Sequence, residues 1–83
     1  MITIVLRLYE ETFIDKMIED YRIVGVKCYG DSPIEIHDYC YDLIPEVEEW
    51  LDKNTKYFEY DAVSTVLTFK DSEDAMMFKL TWL

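Results

Sequence analysis

The sequence predicts an α+β fold, a ferredoxin-like βαββαβ sandwich with an added C-terminal helix, built by residues 1–83 as one domain. Three observations predict it. Apolar side chains alternate along residues 2–9 and again within 23–28 and 34–40, the period of a half-buried strand. They recur at helical spacing along 13–21 and 43–51. The 83 residues are 51% hydrophobic and 16% aromatic, enough for a core, whereas a disordered chain is poor in aromatics.

The elements follow in order. In residues 2–9, ITIVLRLY, Ile2, Ile4, Leu6 and Leu8 face one way and Thr3, Val5, Arg7 and Tyr9 the other. Thr12 then caps a helix reaching Arg22, with Asp15 as the acidic partner of a capping box. Its apolar stripe is Phe13, Ile14, Met17, Ile18 and Tyr21. Strands at Ile23–Cys28 and Ile34–Cys40 flank a turn-rich segment, Tyr29-Gly30-Asp31-Ser32-Pro33. Placing the apolar sets of both strands on one face pairs Cys28 with Ile34 and Val26 with Ile36, since a one-residue slip reverses every side chain.

Asp42 is read as the cap of a second helix with Pro45 in its first turn. Leu43, Val47, Trp50 and Leu51 face inward, and Asn54 stops it. Residues Tyr57–Phe69 are β-rich with a break at Asp61-Ala62. Asp71-Ser72-Glu73-Asp74 starts a last helix, with acids where the helix dipole favours them. Two helices then cover one face of a sheet and leave the other open. That open face, with Val5, Tyr9, Ile23 and Tyr39, is apolar enough to call for a partner. Self-association is expected through it or through Met76, Phe78, Leu80 and Trp82, giving a homodimer.

Eighteen acids against eight bases give a net charge of −10. Residues 35–61 carry nine of the acids and two of the bases. Such a field repels nucleic acid and attracts basic surfaces. No window approaches the roughly 20 apolar residues of a membrane helix. The start, MITIVLRLYE, shows no basic leader, so the cytoplasm is expected, with Cys28 and Cys40 as free thiols.

The segment Phe69-Lys70-Asp71-Ser72-Glu73-Asp74-Ala75-Met76-Met77-Phe78-Lys79-Leu80-Thr81-Trp82 resembles a box found in small early proteins of tailed bacteriophages. There a strand ends in an aromatic, an acidic cap follows and a Phe-x-Leu-x-Trp ending closes the chain. The resemblance covers about the last sixth of the chain and implies an origin. Small acidic phage proteins often act by binding a host protein, including components of host defence, which places this one in the host cytoplasm. It assigns no functional residue.

Three chemistries compete with plainer readings of the same residues. Cys28, His37, Asp38 and Cys40 are zinc-ligand types, but the expected register turns His37 away from both thiols, and no second spaced pair completes a motif. No metal or other cofactor is therefore expected. Carboxylates at helical i,i+4 spacing, such as Glu48 and Asp52, read as a solvated face, because an acid–base pair needs a pocket that separates its pKa values. No enzyme is expected. Tyr9, Tyr39 and Tyr41 with Arg7 and Lys27 are a stacking set for bases, but two bases do not offset the net field.

The acidic belt remains. Glu35, Asp38, Asp42, Glu46, Glu48, Glu49 and Asp52 fall within eighteen residues, interleaved with Tyr39 and Tyr41, residue types favoured in interfaces. A row of carboxylates at this spacing substitutes for a row of phosphates. The expected function is docking onto a host protein with a basic surface, in a nucleic-acid-handling or defence complex, and modulating or inhibiting it by occupancy. Two other readings stand beside it. One is a homo-oligomeric assembly module whose acidity serves solubility. The other is a small metal protein or enzyme.

Overall fold

The computed structural model describes residues 1–83. It has an α+β architecture in which five strands form two separate antiparallel sheets, ordered β1-β5-β4 and β2-β3. This strand order differs from that of a ferredoxin-like sandwich, and the physical reasons lie in two segments.

The first is the N-terminal strand. β1 (Ile2–Val5) pairs with β5 (Val66–Phe69), placing Ile4 opposite Leu67. It stops at Val5 instead of running to Tyr9. The Leu6 N–H donates to the Thr65 carbonyl at 2.9 Å and the Arg7 N–H to Thr65 Oγ1 at 3.2 Å. Those bonds draw the chain into a tight turn, Leu6–Tyr9, with Leu6 fully buried.

The second is the expected helix over 12–22. Only one α turn forms, α1 (Glu10–Phe13), then a tight turn at Ile14–Lys16. Thr12 does not cap it; its hydroxyl donates to the Tyr9 carbonyl. From Met17 the chain is extended. β2 (Met17–Tyr29) pairs with β3 (Ser32–Leu43) along their full lengths. Met17, Ile18 and Tyr21 fit a helical stripe, but Met17, Tyr21 and Ile23 also fit a two-residue period. The β-branched and aromatic content of 18–29 suits a strand, and twelve rungs to β3 decide the matter.

The register differs by one residue from the expected one. Cys28 stands opposite Pro33, Val26 opposite Glu35, Lys27 opposite Ile34 and Gly25 opposite Ile36. The turn has two residues, not five. Gly30 takes φ 63°, open to glycine at no cost, and Asp31 completes it. A bulge at Val24 shifts the phase between Ile23 and Gly25.

α2 (Pro45–Asn54) has Pro45 at its first position as expected, but Ile44 is the cap residue and Asp42 lies in β3. Asn54 Nδ2 donates to the Trp50 carbonyl at 2.9 Å and Thr55 Oγ1 to that of Leu51 at 2.6 Å, satisfying carbonyls the helix end leaves free. β4 (Phe58–Asp61) and β5 form the hairpin broken at Asp61-Ala62. α3 (Ser72–Trp82) is helical throughout.

Ile4, Leu67 and Phe69 of the three-stranded sheet pack with Phe13, Val47, Leu51 and Phe78 in one core. Each such side chain stabilises by about 1.5–3 kcal/mol when buried. The Phe78 ring lies 5.7–6.0 Å from those of Phe13, Phe69 and Trp50. Trp82 is half-buried, edge-on to Trp50 at 6.3 Å. Phe78 is therefore a core side chain and not a self-association surface, and Trp82 packs partly against the core; Met76 and Leu80 of the same helix are exposed.

Candidate functional site

The β2–β3 ribbon stands out from this body. The molecule measures 49 × 25 × 21 Å, with a radius of gyration of 15.1 Å, against about 12 Å for a compact chain of this length. Of the 13 buried residues only Cys40 and Leu43 belong to the ribbon. Eight of the 16 exposed large apolar side chains do, among them Ile18, Tyr21, Ile23 and Val26. A two-stranded ribbon is marginal in water on its own. This one is rooted by Met17 and Leu43 in the core and by the Tyr41 N–H, which donates to the Ala62 carbonyl at 2.9 Å. The Tyr60 hydroxyl donates to the Tyr41 carbonyl. Burial, and then the charges of Asp42 and Asp61, push the Tyr60 phenol up to about 12.

The ribbon has two unlike faces. Directly opposed residues share a face, so the register sets Tyr21, Tyr39, Ile23, His37 and Tyr41 together on one. Tyr21 lies 4.9 Å from the Tyr39 ring and stacks on His37 at 5.7 Å. Arg7 sits 5.7 Å above the Tyr41 ring. The other face carries Asp20, Arg22, Asp38, Cys40 and Asp42. Arg22 donates to both carboxylate oxygens of Asp42, at 2.7 and 3.0 Å, and lies 3.7 Å from Asp20. The Asp42 bond, the larger cause, and then its charge raise the Arg22 pKa above the usual guanidinium range.

The belt residues are brought together in part. Asp42 and Glu48 line one groove between the ribbon base and α2, with Arg22 and Tyr60. Glu46, Glu48, Glu49 and Asp52 are exposed on α2, where Glu49 meets Lys53 at 2.7 Å. Asp38 accepts the Tyr39 N–H at 2.7 Å. Glu35 lies toward the ribbon tip, 3.9 Å from His37 and apart from the helix acids. Tyr39 and Tyr41 point to the aromatic face, away from Asp38 and Asp42. Trp50 is half-buried in the body, and Tyr57 is exposed beside Glu59. Hydrogen bonding to Glu59, then its charge, raises the Tyr57 pKa.

Cys28 is exposed near the tip and shares the His37 face, whereas Cys40 is buried at the base on the other. No three His, Cys, Asp or Glu side chains converge as metal ligands would. No helix is long and apolar enough to cross a membrane. Sequence reasoning missed Ile18 and Tyr21 as surface residues because it placed them on the apolar stripe of a helix; Asp20 was expected in water, though on a helix and not a strand. Their signal was the unbroken β-rich run into Val24 and Val26.

Comparison with known protein families, with curated proteins and with solved structures gives no match.

Proposed function

We propose that this protein acts by protein–protein contact, as an acidic module that docks on a basic surface of a host complex handling nucleic acid or serving defence. It modulates or inhibits that complex by occupancy, not turnover, and the phage-like C-terminal box supplies the setting of the host cytoplasm. The observation that carries the reading is the exposure of Glu46, Glu48, Glu49 and Asp52 along α2, with Glu48 lining the groove at the ribbon base. Asp42 in that groove is paired with Arg22, so the helix carboxylates supply most of the free negative charge there. The net charge of −10 adds long-range attraction to a basic partner, which speeds encounter and weakens with salt. Tyr39, 52% exposed, offers an aromatic contact on the opposite face of the ribbon.

The test is capture of partners from a nuclease-treated bacterial lysate at low and high salt, repeated with Glu46, Glu48, Glu49 and Asp52 replaced by lysine. A specific complex that high salt releases, and that the folded reversal variant no longer captures, is the expected result. Capture unaffected by charge reversal removes the belt from the mechanism.

A further inference from the structure

We propose that two copies of this chain join edge to edge through β2, forming a two-fold symmetric sheet in the order β3-β2-β2-β3. The inference is independent of the partner-docking reading and starts from the unequal edges of the ribbon.

Beyond Met17, whose N–H donates to the Ile14 carbonyl, the outer edge of β2 carries no backbone hydrogen bond. An edge strand of this kind is a template for another strand. The outer edge of β3 is blocked in several places. The Tyr41 N–H turns outward to Ala62, so the odd-numbered residues of β3 present their N–H groups to that edge. Pro33 has none to present, and that of Tyr39 is taken by Asp38 Oδ1. The charges of β3 are also all acidic, at Glu35, Asp38 and Asp42. Pairing it with itself would oppose like charges.

β2 is different. Its acids, Glu19 and Asp20, lie toward the body and Lys27 toward the tip, while its other base, Arg22, is paired with Asp42 of β3. Antiparallel pairing with a second copy brings opposite charges together. One register satisfies every constraint: Asp20 opposite Lys27 of the second copy, Tyr21 opposite Val26, Ile18 opposite Tyr29 and Glu19 opposite Cys28. The bulge at Val24 makes this possible. Because it shifts the phase, Asp20 and Lys27 lie on one face of the ribbon, and Tyr21 and Val26 on the other. The residues whose N–H groups point outward before the bulge, Glu19 and Tyr21, meet those that point outward after it, Cys28 and Val26. Two-fold symmetry doubles each pair. Aromatic–β-branched and opposite-charge rungs are the favourable cross-strand pairs. The joint covers apolar side chains otherwise left in water and leaves both acidic β3 edges outermost.

The test combines sedimentation of the full chain with a Glu19→Cys variant. Across a hydrogen-bonded rung the Cα atoms lie about 5.5 Å apart, within the range of a disulfide. Cys40 is buried and does not compete. The expected results are a wild-type dimer that persists at high salt and, in the oxidised variant, a covalent dimer with the introduced thiol linked to Cys28 of the second copy. Asp20→Lys, which sets like charges on two rungs, is expected to weaken the dimer about ten-fold, and adding Lys27→Glu to restore it. This second series keeps the proposal testable if Glu19→Cys does not fold. A wild-type monomer at high concentration, a dimer without the Cys28 linkage, or no rescue by the double reversal overturns the proposal. Loss of host-partner capture by charge reversal on α2, with the dimer intact, concerns the docking reading alone.

Discussion

Arg22 and Asp42 are joined by two parallel hydrogen bonds, although neither is the other's cross-strand neighbour: the register sets Arg22 opposite Asp38 and Asp42 opposite Ile18. The pair spans the Asp20–Cys40 rung diagonally and engages one of only two bases on the ribbon. Asp42 is thus already neutralised, and the carboxylates free to meet a basic partner are mainly those of α2. Arg22→Gln is expected to leave the stability of the body nearly unchanged, as for an exposed pair. It should speed amide exchange near the ribbon base, where Asp20 and Asp42 then repel. Hydrogen exchange followed rung by rung measures this, and unchanged protection there would refute it.

Thr65 is the sole non-glycine residue at positive φ, 59°, and it is buried. A β-branched residue in this region is strained. It is held because its Oγ1 accepts the Arg7 N–H and donates to the Ser64 carbonyl. Thr65→Ala keeps the strain and strands the Arg7 N–H, so a loss of about 1–2 kcal/mol is expected. Thr65→Gly loses the same bond but relieves about 1 kcal/mol of left-handed strain. Glycine should therefore be the milder substitution in denaturant titrations.

Alkaline stability should depend on Tyr60. Its pKa of about 12 in the fold lies above the value near 10 of an unfolded tyrosine. The unfolded chain therefore releases the phenolic proton first. Stability from this group is complete below about pH 10 and falls as pH rises toward 12. Tyr60→Phe should cost about 1 kcal/mol at neutral pH, for the bond to the Tyr41 carbonyl. It should also flatten the alkaline decline of the thermal midpoint.

At the acid end Asp61 acts in the opposite sense. Its carboxylate accepts the N–H groups of Val63 at 3.0 Å and Ser64 at 3.3 Å, and these bonds lower its pKa. Stability from it is present above the ordinary carboxylate range and is lost as pH falls through the lowered value. Asp61→Ala should loosen the β4–β5 turn and reduce the acid dependence of unfolding below about pH 4.

Phe78→Ala should cost about 3–5 kcal/mol, the loss expected for a fully buried phenylalanine, while Met76→Ser and Leu80→Ser should change stability by less than about 0.5 kcal/mol. Comparable effects at all three positions would show that α3 is not packed as described.

Local signals located much of the body. Pro45 and Asn54 bound α2, and Asp61-Ala62 marks the hairpin turn. Leu67 and Phe69 are buried as their alternation implies. The region 12–43 was not readable in the same way. Met17 and Tyr21 satisfy both a helical and a strand period, and only the distant partner β3 separates the two. The register was missed because the two-residue turn at Gly30-Asp31 sets Tyr29 opposite Ser32 and so puts Val26 and Cys28 on one face and Ile34 and Ile36 on the other; the bulge at Val24 then changes the phase again, and a bulge leaves no mark in an alternation pattern. The belt acids were visible as charge, but their division between ribbon and helix depended on that same register.

The pairing of β1 with β5 joins residues 2–5 to residues 66–69, while the ribbon pairs residues 17–29 with 32–43 across a two-residue turn. These two events differ in when a growing chain can reach them. The hairpin needs only its own local sequence, whereas the central sheet waits until nearly the whole polypeptide has emerged. During synthesis both strands of the arm are therefore in reach of each other before the first strand has any partner, although the arm is marginal until the core roots it. Its apolar surface is available to a neighbouring nascent chain while the core is still incomplete.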